Sequence, residues 1–260
     1  MSTGGAASTG GASNALQPDG SILLRGKIRD FHSTFADMEP CTNSPPKLCD
    51  SGHVEQNPTP SDTTQSCGNF AGSHYPNSCF IGTTLGSDTK PVYVGPSGGT
   101  VTTSGPDNFR YWFNTVTGVN LEADISIALQ SNGAGTFSYA NDAFFPIDNV
   151  LFGNEGQTDA AGTPHNYGFT TEFHMKFAYK AGQTFSFKGD DDLLIFINGQ
   201  LVIDRSGIHN AQDATLNLDG LGLTPNNSYQ FDMFYCERHR TLSEISIATN
   251  IQFTASVPIN

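Results

Sequence analysis

Hydrophobic and polar residues alternate along much of this chain, in short runs separated by glycine, asparagine and proline. Residues 171–179 place Phe173, Met175, Phe177 and Tyr179 on one side, and residues 125–129 alternate in the same way. A period of two indicates half-buried β-strands. Helical periodicity is almost absent, so the pattern predicts an all-β protein built as an antiparallel β-sandwich.

The most apolar run, residues 193–197, follows three consecutive aspartates, Asp190, Asp191 and Asp192. It ends at Asn198-Gly199, which is typical of a two-residue hairpin turn. We therefore predict a buried strand, and a partner strand over residues 201–204. Adjacent carboxylates at the mouth of a buried strand repel each other and lose hydration, and a bound Ca²⁺ would relieve both costs. The alternative is a solvated acidic turn that caps the strand through side-chain hydrogen bonds.

The same patterns indicate the remaining elements and the domain organisation. Residues 1–20 are rich in Gly, Ala, Ser and Thr, which predicts a flexible linker. A single domain is expected over residues 21–255, with a loop-rich excursion at about 32–80 and a tail at 256–260. Further strands are predicted at 22–31, 90–94, 137–139, 184–187, 215–218, 229–235 and 245–253, and a short helix or strand at 109–113.

The charge balance narrows the classes of partner. The chain has 12 Lys and Arg against 25 Asp and Glu, a formal net charge of −13. This argues against nucleic acid and against docking on anionic lipid, and no apolar run is long enough for direct membrane insertion. No leader-like segment follows Met1, so we expect a mature form from which an export signal was removed.

Five cysteines add a prediction about the compartment. Cys41, Cys49, Cys67 and Cys79 lie in the loop-rich stretch, where two disulfides of undetermined connectivity are expected. Disulfides indicate an oxidising, extracellular environment. Cys236, which follows Phe234 and Tyr235, is predicted to be a small buried hydrophobic residue.

Several motifs in order resemble one known family. They include GDDDLLIFINGQLVID at 189–204 and FRYWFNTVTGVN at 109–120, followed by shorter matches at 144–148, 152–156, 165–166, 207–209, 221–224 and 237–239. Residues 22–250 resemble the fibro-slime domain of the PA14-like β-sandwich superfamily. The resemblance implies a PA14-like antiparallel β-sandwich with long surface loops, secreted or displayed on the cell surface in adhesins and matrix proteins.

The resemblance also implies a site. In lectin-like relatives, two adjacent aspartates joined by a cis peptide hold a calcium ion, and they align with Asp190 and Asp191. A loop after a later strand completes that site, here at 237–239. The predicted metal ligands are Asp190, Asp191 and Glu237, and the predicted ligand-binding residues are Asp192, His209, Arg238 and His239.

Alternatives remain open at most of these positions. Asp192 stands where many relatives carry glycine, and it is a metal ligand, a sugar contact or a turn residue. Glu237 could instead form a salt bridge with a nearby arginine. Arg238 and His239 could belong to a structural network between loops, and His209 could be a loop histidine satisfied by neighbouring backbone.

These observations predict a secreted or cell-surface adhesive module that binds a glycan or polysaccharide through calcium. The alternative is a structural component of an extracellular matrix or fibre that binds a protein partner and uses calcium only to stiffen loops. An enzyme is not expected, because adjacent aspartates cannot provide the separated pair of carboxyl groups that glycosidases use.

Overall fold

The computed structural model describes residues 13–38, 73–74, 80–100, 102–239 and 242–259. Cys41, Cys49, Cys67 and Cys79 lie outside these ranges, as does most of the predicted excursion at 32–80. The two expected disulfides therefore stay a prediction.

The described residues form a nearly all-β structure, as predicted. A single helical turn, α1 (Pro106–Phe109), and a 3₁₀ turn, Leu218–Leu221, accompany the strands. The strands are β1 (Ser13–Asn14), β2 (Ile22–Phe31), β3 (Ser73–His74), β4 (Asn120–Ser131), β5 (Phe137–Asn141), β6 (Phe169–Ala178), β7 (Thr184–Gly189), β8 (Asp192–Ile197), β9 (Gln200–Arg205), β10 (Gln212–Asn217), β11 (Ser228–Glu237), β12 (Ile245–Thr249) and β13 (Phe253–Ser256).

The strands form two sheets that β4 connects. In the first sheet, β4, β2, β6, β11, β8 and β9 are neighbours in that order, and all these pairs are antiparallel. The end of β4 pairs with β5, which leads into the second sheet through β12, β7 and β10. β13 pairs with β6, and β3 adds a short parallel pairing to β9. The described ranges thus confirm the predicted antiparallel architecture.

The main hydrophobic core lies between the two sheets. Phe173, Met175 and Phe177 of β6 are completely buried there, as their alternation predicts. Opposite them, Phe185 and Phe187 of β7 complete the core from the second sheet. Burying each such side chain stabilises the fold by about 1.5–3 kcal/mol relative to leaving it exposed.

A second apolar cluster lies on the outer face of the first sheet. Phe80, Phe109 and Trp112 come from residues 80–119, named here the covering segment. They pack against Phe196 and Phe234 of the sheet. β8 is therefore buried on both faces, which explains why residues 193–197 are continuously apolar instead of alternating.

The hairpin between β8 and β9 forms at the predicted position. Asn198 and Gly199 have φ values of 52° and 73°. Two consecutive positive φ values are typical of a type I′ turn, in which Asn-Gly is favoured because neither residue is strongly penalised there.

Three expectations need correction. Residues 13–20 are not a linker, because β1 pairs with β13 and Ala15 lies buried in the main core. Residues 90–94 form no strand, only an isolated bridge between Ile81 and Tyr93. The predicted tail begins one residue too early, since Ser256 still belongs to β13. The helices in the described part of the chain are too short or too polar to cross a membrane.

Candidate functional site

The three aspartates lie at the junction between the two sheets. β7 ends at Gly189 in the second sheet, and β8 begins at Asp192 in the first. Asp190 and Asp191 form the link, and the peptide bond between them is cis, as the resemblance implied. Two loops adjoin this link, residues 206–211 after β9 and residues 238–244 after β11.

Main-chain amides hold the first two carboxylates. The Glu244 amide donates to Asp190 Oδ1 at 2.6 Å. The amides of His209 and Arg238 donate to the two oxygens of Asp191, at 3.2 and 2.9 Å. Each adjoining loop therefore contributes main-chain donors to the carboxylates, and the side chains of Asp190 and Asp191 are fixed in position before any ligand binds.

The environment of Asp191 penalises a negative charge. Burial raises the pKa of its carboxyl well above the usual 3.8; the Arg238 guanidinium lowers it, and the neighbouring charges of Asp192 and Asp190 raise it further. The balance means that ionised Asp191 is poorly compensated by the protein alone. An additional positive charge at this place would lower its free energy.

Glu237 is a third carboxylate whose environment penalises a negative charge. Its side chain is completely buried at the end of β11, and Oε1 has no hydrogen-bond partner. Burial raises its pKa well above 4.5, and the charges of Asp191 and Asp190 raise it further. Its other oxygen receives a long hydrogen bond, 3.5 Å, from the Tyr235 hydroxyl, and hydrogen bonds from Ser243 and the His239 main chain lower the pKa in part. A buried carboxylate oxygen without a donor costs free energy unless a cation or a proton satisfies it.

Asp192 and Arg238 have a different arrangement. Arg238 Nε and Nη2 donate to the two oxygens of Asp192, at 2.6 and 3.0 Å. The Gly207 amide donates to Asp192 Oδ1 at 2.6 Å. This is a bidentate ion pair, the geometry in which arginine and carboxylate match best.

The remaining donors of Arg238 tie the site to the segments that cover the sheet. Nη1 donates to the carbonyl oxygens of Asp37, at 3.2 Å, and Thr102, at 2.7 Å. The guanidinium lies over the Trp112 ring, 4.4 Å from its centroid. These contacts give Asp192 and Arg238 a structural role, and their contact with a ligand stays a prediction.

The two histidines also differ in position. The ring of His209 is buried, with Nδ1 2.9 Å from the Asn210 carbonyl and Nε2 3.0 Å from the Arg205 carbonyl. Burial lowers its pKa below 6.5. His209 thus supports the first loop through its own backbone and ring, whereas His239 is half-buried on the second loop. Ligand contact at either histidine stays a prediction.

The donor set fits a calcium ion in its chemistry, but it is incomplete. Within the described ranges, no three His, Cys, Asp or Glu side chains already stand as a metal-holding group. Calcium takes six to eight oxygens and accepts main-chain carbonyls, water and ligand hydroxyls as well as carboxylates. Asp190, Asp191 and Glu237 therefore suit part of a coordination shell, and the other oxygens must come from elsewhere. Residues 240–241 of the second loop lie outside the described residues.

The sequence missed the groups that position the acidic residues. Gly207 and Glu244 act through their main-chain amides, and Asp37 and Thr102 through their carbonyls. A main-chain donor or acceptor is present at almost every residue, so these positions carry no signal in residue type. The one hint is Gly207, whose φ of 121° favours glycine.

Comparison with known proteins gives matches over this region. Residues 130–253 match the family model of the PA14 domain. The chain is 44% identical to protein psiQ over 184 residues and 42% identical to protein psiR over 183 residues, and each match covers 67% of this chain. It is 40% identical to protein psiD over 181 residues, a match that covers 66% of this chain. All three are from Dictyostelium discoideum. The chain spans only 18%, 18% and 36% of their respective lengths.

Solved structures give more distant matches. The PA14 domain of the MpAFP antifreeze protein is 15% identical with a TM-score of 0.28, and the match covers 44% of this chain and 64% of that one. The PA14 sugar-binding domain from an RTX adhesin is 18% identical with a TM-score of 0.28, covering 47% and 76%.

Proposed function

Because the chain carries a PA14 domain at residues 130–253, which include the whole acidic cluster, we propose that it is a calcium-dependent carbohydrate-binding module. Asp190 and Asp191 hold the ion, with Glu237 beneath them. The ion presents its open positions to sugar hydroxyl groups. The module acts in adhesion, on a secreted or cell-surface protein.

The observation that carries this proposal is an excess of buried negative charge. Asp190, Asp191 and Glu237 are each at most 5% exposed. The neighbouring cation, Arg238, is already bound to Asp192 through both of its carboxylate oxygens. Among the described residues, no cationic side chain is paired with Asp191 or Glu237, and burial makes their ionised forms expensive.

The chemistry of the donors favours calcium among the common metals. The candidate ligands are all carboxylate oxygens, which suit hard cations and not zinc or copper. Asp191 is also constrained by main-chain amides, so the shell will be irregular. Calcium tolerates irregular geometry, whereas Mg²⁺ demands near-ideal octahedral coordination.

The two loops beside the ion supply a rim for a ligand. Asn210 on the first loop and His239 on the second are half-buried, and Leu242 is 54% exposed. Amide and imidazole groups can hydrogen-bond sugar hydroxyls, while an exposed aliphatic side chain can cover the apolar face of a sugar ring. Hydroxyl oxygens are suitable calcium ligands.

Calorimetric titration with CaCl₂, after removal of bound ions with a chelator, tests the metal site. Wild-type protein is expected to bind calcium, and the Asp190→Asn plus Asp191→Asn variant is expected to lose binding. Asp213→Asn, which removes an exposed carboxylate on β10, is the matched control and should bind as wild type does. Equal binding by wild type and the double variant would refute the assignment.

A glycan array, probed with and without calcium, tests the carbohydrate ligand separately. The expected result is a set of glycans bound by wild type in calcium, with loss of binding in chelator and in the double variant. A calcium-binding protein that leaves the whole array blank would contradict the carbohydrate part alone. Binding that is unchanged in chelator would contradict the role given to the ion.

A further inference from the structure

A second cluster of buried ionisable groups lies on the outer face of the first sheet, away from the acidic site. Its centre is His174 of β6, which is 2% exposed. The ring Nε2 lies 2.6 Å from Glu172 Oε1, and Nδ1 lies 2.5 Å from Asp232 Oδ1. Both carboxylates are completely buried. The histidine thus bridges two strands, β6 and β11.

The geometry determines the protonation state of the ring. An ionised carboxylate accepts hydrogen bonds and donates none, so each ring nitrogen needs its own proton to bond its partner. Both carboxylate groups already accept hydrogen bonds from other side chains. Arg29 Nη1 donates to Glu172 Oε2 at 2.8 Å, and Gln230 Nε2 donates to Asp232 Oδ1 at 2.7 Å. The arrangement therefore requires the imidazolium form of His174.

Charged side chains from β2, β4 and the covering segment face the cluster. The anions are Glu172, Asp232 and, at the edge, Glu122 of β4, which also binds Lys27. The cations facing them are Arg29 of β2 and Lys90 of the covering segment. β8 contributes an apolar neighbour, Phe196, which pairs with Asp232 in register. Glu122 is matched by Lys27 and Glu172 by Arg29 and Lys90, whereas Asp232 is paired only with His174 among the described residues. Removal of the His174 proton therefore leaves one buried negative charge without a cation.

Asp232 would bear most of that excess. Its Oδ2 has no hydrogen-bond partner, and its Oδ1 receives hydrogen bonds only from His174 and Gln230 among the described residues. Glu172, in contrast, keeps Arg29 and Lys90. A neutral imidazole also turns one lone pair towards a carboxylate, which is repulsive. Asp232 then needs water to solvate it.

The covering segment lies on the same face as this cluster. Lys90 forms an ion pair with Glu172. The Thr170 hydroxyl donates to the carbonyl of Trp112, and the rings of Phe113 and Phe234 meet with centroids 4.8 Å apart. Phe234 is two residues from Asp232 on β11 and on the same side of the strand. Among the described residues, the covering segment therefore shields the face of the sheet on which Asp232 lies.

We propose that protonation of His174 holds the covering segment against the first sheet. Its imidazolium form balances the buried carboxylates and keeps residues 80–119 closed over the sheet. Loss of the proton admits water beneath the segment and loosens it, while the sandwich core remains folded.

The direction of the pH effect follows from the surroundings of the ring. Burial lowers the pKa of His174, but the hydrogen bonds to Asp232 and Glu172 and their charges outweigh it, so the pKa is raised above 6.5. A raised histidine pKa gives stability that is complete below about 6.5 and is lost as pH rises through the folded-state pKa. The pKa of Glu172 is lowered, despite burial, by His174, Arg29 and Lys90, so its contribution is lost only in acid. The segment is therefore held best in mildly acidic solution.

Trp112 provides the test, because it is the single tryptophan of the chain, belongs to the covering segment and is 1% exposed. Acrylamide quenching of its fluorescence is measured from about pH 5 to about pH 9, which spans histidine titration. Quenching should be weak in acid and rise in one transition with a midpoint above 6.5. Far-UV circular dichroism should stay constant through it.

Three variants make the test specific. His174→Gln should show raised quenching at all pH values and no transition, while His32→Gln, at a histidine 48% exposed, should behave as wild type. Asp232→Asn removes one of the two carboxylates and should shift the midpoint downward. A pH-independent wild type, or a midpoint unchanged in Asp232→Asn, would overturn the proposal even if His174→Gln fails to fold.

Discussion

Asp192 and Arg238 form an ion pair inside the protein, with two hydrogen bonds of 2.6 and 3.0 Å and at most 3% of either side chain exposed. Arg238 also donates to the carbonyls of Asp37 and Thr102, so the pair joins the start of β8 to the segments that cover it. The three consecutive aspartates therefore have two different structural roles. Main-chain amides hold the carboxylates of the first two, and the third anchors the fold through Arg238.

Arg238→Met should destabilise the protein by about 3–5 kcal/mol, because it leaves Asp192 buried without its cation. Urea unfolding, followed by circular dichroism, measures the change. Arg110→Met is the control, since Arg110 is exposed on the covering segment, and surface changes are usually within about 0.5 kcal/mol. The double variant Arg238→Met with Asp192→Leu should recover part of the loss, because it removes both charges. A double variant as unstable as the sum of the two single variants would contradict this account.

Calcium should raise the thermal stability of the wild-type protein. An ion that binds only the folded state stabilises it by about 2.7 kcal/mol when its concentration is about 100 times the dissociation constant. The melting temperature should therefore rise with calcium concentration, and Asp190→Asn plus Asp191→Asn should abolish the rise. Differential scanning calorimetry in calcium and in chelator checks this. An equal rise in the double variant would place the stabilising ion at another site.

Gly189→Ala should disturb the acidic site directly. A Cβ at this position would lie 2.4 Å from the Glu244 carbonyl oxygen and 2.8 Å from the Phe187 ring. Glu244 also holds Asp190 through its amide, so the backbone shift will displace that carboxylate. We expect a loss of about 1–3 kcal/mol in stability, together with weaker calcium binding. Gly220→Ala, where no atom lies within 4 Å of the new Cβ, should change neither.

Asp30 should titrate near pH 6. Burial raises the pKa of its carboxyl from 3.8 to about 6, although Asn166 and the Phe152 amide donate to it and lower the pKa in part. The folded protein binds this proton more tightly than the unfolded chain does. The contribution of Asp30 to the free energy of unfolding should therefore fall as pH rises from about 4 to about 6. The expected decrease is roughly 3 kcal/mol, at about 1.36 kcal/mol per pKa unit. Carboxyl ¹³C NMR measures the midpoint directly. A midpoint near 4 would refute the prediction.

The sequence predicted the strands well, because period-two alternation reports which face of a strand is buried. The run at 193–197 and its Asn-Gly turn are where the pattern placed them, and the apolar residues of β6 face the main core as predicted. The prediction that β6 is only half-buried was wrong, because its polar residues at 170–174 are buried as well. The N-terminal boundary was wrong. Small, polar residues at 13–16 resemble a linker, but β1 is held by main-chain pairing to β13 and needs no apolar pattern of its own.

The site was only partly predictable, for a related reason. The triplet itself was identified from its charge and its position before a buried strand. Its division into two carboxylates held by amides and one paired with Arg238 depends on loops that are far away in sequence. The cluster around His174 was also missed, because Lys90, Glu172 and Asp232 are brought together only by strand register and by the covering segment.

The amides that hold Asp190 and Asp191 have a consequence for how this family of loops can diversify. The donors at His209, Arg238 and Glu244 belong to the main chain, so they are retained with any side chain except that of proline, which lacks the N–H. Substitutions of side chains along the rim can therefore change what is recognised, while the main-chain hydrogen bonds to Asp190 and Asp191 remain. The side chain of Arg238 is the exception, because it is buried and paired with Asp192 and so is the least free to vary.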